Sequence, residues 1–201
     1  MKILLYGSSH LTAAAYEYAK DSFEFVGNIP SKNPRISGII NLPKFRNPKE
    51  CPHDIKLSIQ YDRKILNYEN AFNIHTGILP EWGGGDILYH TLKSGAHEQG
   101  ITFHKMSKEF DFGPIISKIT YPVFDKDNVL DLYSRMSNVL PPFVCSSLAL
   151  LEGIGLQDVF KCHKEKPVIF KREKGIPAPD LEEYKNMGKK LEALYGEANE
   201  L

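Results

Sequence analysis

Residues 71–116 read AFNIHTGILPEWGGGDILYHTLKSGAHEQGITFHKMSKEFDFGPII, and the rest of the chain forms a platform for them. Residues 71–76 suit a strand. Side chains two apart on an extended strand share a face, so Asn73 and His75 can address one reacting group together. Residues 79–85 must leave regular structure, because Pro80 lacks a backbone donor and three consecutive glycines favour unusual backbone angles. Residues 85–94 carry Ile87, Leu88 and Leu92 at helical spacing, with Gly95 as a stop. Residues 99–106 read as a strand with Ile101, Phe103 and Lys105 on one face and Thr102 and His104 on the other. A loop at 107–113 carries Asp111 back beside the Asn–His pair, and 114–123 form another strand.

Outward from this stretch, residues 2–6 are a continuous apolar run that suits a strand buried on both faces. Gly7-Ser8-Ser9 follows, then a helix with Ala14, Ala15, Tyr18 and Ala19 at helical spacing, then a strand at 23–27. This βαβ opening points to a parallel sheet. The turn invites a phosphate, since helix starts attract anions, but GSSHL lacks the repeated glycines of a nucleotide fingerprint, and a plain turn with a Ser cap competes. Residues 29–54 are broken by five prolines, with one short strand expected at 38–40. A strand at 54–60 runs into the loop 61–65, at the end of a parallel sheet where ligands sit. Residues 127–151 form the strongest helix, which Pro141-Pro142 should kink or split. Residues 161–174 hold six Lys or Arg against two Glu, and a last helix is expected over 180–195.

The chain of 201 residues fits one domain of ordinary size with at most a small appendage. Lys plus Arg and Asp plus Glu are both 25, a balance that argues against a general nucleic-acid or anionic-membrane binder. Cys51, Cys145 and Cys162 form no CxxC pair, which speaks against a disulfide framework or zinc site and for a reducing compartment. The N-terminus lacks a signal peptide's core, and no run approaches the roughly 18 apolar residues of a membrane span. The expectation is a soluble, cytoplasmic protein.

Asn73, His75 and a nearby Asp make a kit for acyl-type transfer. Asn can donate a hydrogen bond to a carbonyl oxygen as it becomes an oxyanion. His can donate a second bond or carry a proton, and an Asp within reach orients the imidazole and favours its charged form. No Ser or Cys stands in a nucleophile setting, so the acceptor attacks directly. His75, His90, His97 and His104 lie within thirty residues but form no HxxxH or HExxH spacing, so surface or satisfied histidines outweigh a metal site.

The pattern Asn73-Ile74-His75-Thr76-Gly77-Ile78-Leu79-Pro80, then Trp82-Gly83-Gly84, resembles the N-x-H-x-S-x-L-P…G signature of the folate-dependent formyltransferases. Gly100-Ile101-Thr102-Phe103-His104 and Asp111-Phe112-Gly113-Pro114-Ile115-Ile116 resemble that family's second block. The match covers about residues 55–125. The resemblance implies an α/β, Rossmann-like formyltransferase fold, a mostly parallel central sheet with helices on both faces. It implies a catalytic domain over 1–151 and a short extension over 152–201 packing on it. By motif position Asn73, His75 and Asp111 are the catalytic trio, with Thr102 and His104 supporting. The co-substrate is 10-formyltetrahydrofolate, cradled mainly through backbone groups by two loops that include Gln60, Tyr61, Arg63 and Ile65, and Met106, Lys108 and Phe110. No metal is implied.

The chain departs from the family pattern where Thr76-Gly77 replaces the Ser after the His. The glycine- and asparagine-rich phosphate loop of the glycinamide-ribonucleotide enzymes is missing from GSSHLTAAA. No obvious basic domain follows the matched block, which argues against tRNA. The sugar N-formyltransferases fit best, with a small-molecule amine on a nucleotide-linked amino sugar as acceptor. Residues 161–174 either face its diphosphate or form a solvated charged surface. Phosphoribosylglycinamide formyl transfer, release of formate to water, and a non-catalytic folate- or nucleotide-binding module are the competing readings. The extra N-terminal domain usual for the hydrolase has no room here. A homodimer is compatible with all of these.

Overall fold

The computed structural model describes residues 1–33 and 37–171. The helix expected over 180–195 and the last three residues of the basic segment lie outside them.

The opening unit forms as the apolar pattern requires. Strand β1 (Lys2–Tyr6) leads into α1 (His10–Ala19) and back to β2 (Glu24–Ile29), which pairs parallel with β1. Ser9 caps α1 by accepting from the Thr12 backbone N–H. Thr12 Oγ1 in turn donates to the Ile59 carbonyl at 2.8 Å, tying the turn to the neighbouring strand. Gly7 has φ +126° and lies against this same carbonyl, where a side chain would collide.

After a short 3₁₀ turn, Pro48–Glu50, come β3 (Ile55–Ile59), β4 (Ala71–His75), β5 (Gly83–Gly84), α2 (Ile87–Ser94), β6 (Glu98–Lys105) and β7 (Ile115–Pro122). Helix α3 (Val129–Ile154), a 3₁₀ turn at Val159–Lys161 and β8 (Ile169–Phe170) complete the described residues. The main sheet has the order β2-β1-β3-β4-β6-β7. Its first three pairings are parallel, and β4–β6 and β6–β7 are antiparallel.

One expected strand is corrected: residues 38–40 form none; Gly38 donates to the Ser8 carbonyl and packs against α1, and Ser37 makes one isolated bridge to Ser9. Of the kink or split expected at Pro141-Pro142, the split does not occur: α3 is one helix with both prolines inside it. Tertiary burial outweighs the local loss. Leu132, Met136 and Leu140 before the pair and Val144, Leu148 and Leu151 after it are at most 1% exposed. Each such side chain contributes about 1.5–3 kcal/mol, against ~3 kcal/mol or more for an interior proline. A reciprocal cap between Asn128 and Asp131 fixes the start of the helix. Among the described residues α3 is the one helix long and apolar enough to cross a membrane, yet here its buried stripe lies in the core.

The sheet's two faces differ in character. Ile3, Leu5, Ile55, Leu57, Ile59, Phe72, Ile74, Ile101 and Phe103 point into one large cluster with α1 and α3. On the opposite face Leu4 and Tyr6 pack with Ile29, Cys51 and Ile65 in a smaller cluster. Farther across that second face, β4 and β6 present polar side chains instead.

Candidate active site

Strand register builds the site. Asn73 lies opposite His104, and His75 opposite Thr102, on the antiparallel pair β4–β6. Directly opposed residues share a face, so all four project on the side away from the large cluster. The loop after β6 then brings Asp111 over them, with Asp111 itself in the left-handed conformation at φ +52°, a region Asp and Asn tolerate better than most residues. Its Oδ1 stands 3.5 Å from His75 Nδ1 and 3.9 Å from His104 Nε2. Its Oδ2 accepts from the Gly84 backbone N–H at 2.7 Å.

Hydrogen-bond capacity fixes the protons. His75 Nε2 contacts the Trp82 carbonyl at 2.6 Å. A carbonyl only accepts, so Nε2 carries the hydrogen, and the Nδ1 edge faces Asp111. His104 is 2% exposed. Its pKa is pushed down to about 4, first by loss of water around the charged form and then by the His75 charge; Asp111 and a bond to the Lys105 carbonyl offset this only in part. The ring is therefore neutral near pH 7. Its Nδ1–H donates to Lys105 O, leaving Nε2 to accept from Asn73 Nδ2 at 3.3 Å. One amide hydrogen of Asn73 is thus committed, and the second is available to a ligand carbonyl.

The network of polar partners extends into the turn after β4. Thr102 Oγ1 accepts from Leu79 N at 3.0 Å and donates to Gly77 O at 2.7 Å. Gln99 Oε1 accepts from Ile78 N, and Lys118 Nζ donates to Leu79 O. Thr102 therefore supports the site by holding the turn. Trp82 O and Gly84 N escaped the sequence reading because they are backbone groups; the run of glycines at 83–85 signalled an unusual turn without saying which amide faces inward.

The two loops assigned to the folate lie along the same face. Tyr61 and Met106 pack against the smaller apolar cluster, and Ile65 is buried inside it. The Ile65 side chain is thus a core contact, so only its backbone is left for a ligand. Arg63 stacks over Tyr61 and donates to Pro30 O at 2.9 Å. Gln60 and Lys108 are exposed, as is Phe110, at 74%. Lys56, missed in the sequence, is buried beside this loop. Burial lowers its pKa, and its Nζ donates to Glu69 O at 2.9 Å, tying down the loop's far end.

Of the four histidines weighed as metal ligands, His75 and His104 share the site. His90 donates to Lys171 O, and His97 is exposed near Asp125. Among the described residues no group of three or more His, Cys, Asp or Glu is placed to hold a metal ion.

Residues 64–144 match the family described as formyl transferase. The methionyl-tRNA formyltransferase of Streptococcus pyogenes serotype M6 is 32% identical over 84 residues, 41% of this chain and 27% of that protein. The chain thus spans about a quarter of the length of the curated relatives it matches. An N-formyltransferase from Helicobacter canadensis, solved with folinic acid and dTDP-3-aminofucose, superposes with a TM-score of 0.71 at 19% identity, covering 92% of this chain and 78% of that one. Phosphoribosylglycinamide formyltransferase from Bacillus halodurans gives 0.64 at 18% identity, covering 77% and 97%. The match to the formyl transferase model thus falls on β4 and β6, the strands that build the site, and the fold around them is the one these solved formyltransferases share.

Proposed function

We propose that the protein transfers the formyl group of 10-formyltetrahydrofolate to an amine, and that the acceptor is the amino group of a nucleotide-linked amino sugar. The observation that carries the reading is the convergence of Asn73, His75 and Asp111, with neutral His104 orienting the Asn73 amide. The folate fits the donor set: a polar face with one uncommitted amide hydrogen, bordered by half-buried Tyr61 and Met106. When bound, it supplies an activated formyl carbonyl. The uncommitted Asn73 N–H then donates to that oxygen as negative charge builds on it, a contribution of about 10²–10³ in rate for one such donor. The His75 Nδ1 edge and the Asp111 carboxylate hold a proton between them, the gap of 3.5 Å being one that substrate binding can tighten. Asp111 would take up the proton shed by the incoming amine as its bond to the formyl carbon forms and return it to the folate nitrogen as the bond from that nitrogen to the formyl carbon breaks, with His75 oriented by Trp82 O.

Support for the sugar acceptor comes from the Helicobacter canadensis relative, solved with an amino sugar nucleotide, and from a turn at Gly7-Ser8-Ser9 that lacks a glycine-rich phosphate loop. The phosphoribosylglycinamide enzymes, nearly the whole length of which this fold covers, support a second reading. A formyl-transfer assay against dTDP-linked amino sugars, glycinamide ribonucleotide, methionyl-tRNA and buffer alone separates them. Formylated amino sugar is the expected product. Product with either other amine moves the acceptor, formate alone indicates hydrolysis, and no turnover with any of them removes the transferase reading.

A further inference from the structure

The turn that reaches His75 and Asp111 is itself held from behind. Val168 N donates to Pro80 O at 2.8 Å, Gly83 N to Val168 O at 2.9 Å, and Gly85 N to Phe170 O at 3.0 Å, so β8 adds as a parallel strand to β5. The amides of an extended strand alternate in direction. The groups of residues 83 and 85 therefore face β8, while Trp82 O and Gly84 N face the opposite way, onto His75 Nε2 and Asp111 Oδ2. One strand is hydrogen-bonded along both edges, by β8 on one and by the two candidate catalytic side chains on the other. The Phe170 ring stacks on Trp82 at 4.9 Å and 14° and touches His90, whose Nε2 donates to Lys171 O. Gly83 and Gly84 permit the approach, since a Cβ on either would meet Ile169 or the Phe170 backbone.

We infer that residues 167–171 are a positioning strap for the catalytic pair: by pairing with the outer edge of 82–85 they set the reach of Trp82 O to His75 and of Gly84 N to Asp111. The inference rests on the proposed transferase reading for its kinetic arm. The strap lies beyond the residues 64–144 that match the family. Pro167 is its one buried residue and Phe170 is half-buried, while Val168 and Ile169 are 58% and 46% exposed, and the backbone bonds of residues 168 and 170 all fall on this one turn.

The test uses the full chain with Phe170→Ala, Val168→Pro (which deletes the amide that donates to Pro80 O) and Phe170→Tyr. Misplacing a reacting group by about 1 Å costs on the order of 10²-fold, so the first two should lower kcat ~10–100-fold with the KM for formyl-folate within about twofold. Phe170→Tyr, which keeps the stacked ring, should restore kcat. Melting temperatures should stay close to that of the wild type. In parallel, nitrogen NMR of labelled protein reads the His75 Nε2–H directly: it should be protected from exchange in the wild type and lose protection in Phe170→Ala. Unchanged kcat in both strap variants, or a KM increase at constant kcat, overturns the inference. If the wild type transfers formyl to no amine, the transferase reading fails by itself and the NMR arm decides alone. Retained His75 Nε2–H protection in Phe170→Ala then refutes the strap, and its loss upholds it.

Discussion

Acid should destabilise this protein through one buried ring. His104 sits in the polar face of the sheet, 2% exposed, with its pKa pushed down to about 4 mainly by burial. In the unfolded chain an imidazole titrates near 6.5. Because the folded value is the lower one, the unfolded chain takes up the proton first as pH falls, and stability drops. The contribution is complete above about pH 6.5, declines between 6.5 and about 4, and is gone below that. At ~1.4 kcal/mol per pH unit the whole window is worth on the order of 3 kcal/mol, of which ~2 kcal/mol has been lost at pH 5. Urea unfolding at pH 7.5 and pH 5.0, on the wild type and on His104→Gln, isolates the effect. Gln can still accept from Asn73 through Oε1 and has no proton to gain. All other titrating groups are common to both proteins, so the wild type should lose ~2 kcal/mol more than the variant over that interval. Equal losses in the two proteins would show that His104 is not held neutral by its surroundings.

Other perturbations follow from the same geometry. His75→Ala should lower kcat by about 10²–10⁴ while urea unfolding stays cooperative; a rate near wild type removes His75 from the mechanism. Asp111→Asn is the sharper test of the carboxylate than Asp111→Ala, because Asn also tolerates φ +52° and can still accept from Gly84 N. It should lose turnover without a large loss of stability, and retained turnover would rule out a charge requirement. Thr102→Val keeps the shape but strands Leu79 N and Gly77 O, at a cost of about 1–3 kcal/mol in urea unfolding; no measurable change would mean the hydroxyl does not hold the turn. Gly77→Ser places a Cβ against Trp82 O and 2.8 Å from His75 Nε2, so kcat should fall about tenfold or more, and an unchanged kcat would show that the turn yields freely.

What was legible in the sequence was whatever periodicity controls. The alternation of Ile101 and Phe103 with Thr102 and His104 put two polar side chains on one face, and the antiparallel register then placed them opposite His75 and Asn73. The apolar run at residues 2–6 and the helix after it specified a parallel opening in the same way. What was not legible depended on tertiary context. A rule about interior prolines weighs one lost hydrogen bond per residue, whereas α3 is held by buried side chains on both sides of Pro141-Pro142. Ile65 read as a loop residue, yet its side chain joins the cluster around Leu4 and Tyr6. Trp82 O and Gly84 N could not be read at all, since every residue carries the same backbone groups and only the path of the turn decides which of them matter.

The location of the chemistry follows from how this face is satisfied. Across β1 the second face is apolar and covered by Ile65 and Cys51; across β4 and β6 it carries Asn73, His75, Thr102 and His104. Buried polar groups cost stability unless bonded. Thr102 is bonded at both its donor and its acceptor, His104 at both ring nitrogens, and His75 at Nε2. The remaining capacity is concentrated in the second Asn73 amide hydrogen and in the edge shared by His75 Nδ1 and Asp111 Oδ1. These sit side by side because β4 is the strand at which the sheet changes from parallel to antiparallel. The antiparallel register sets His104 opposite Asn73 and Thr102 opposite His75, and the short connection of the antiparallel pair β6–β7 carries Asp111 back over β4. The change of strand direction is therefore what brings a donor for developing negative charge next to a pair able to hold a proton.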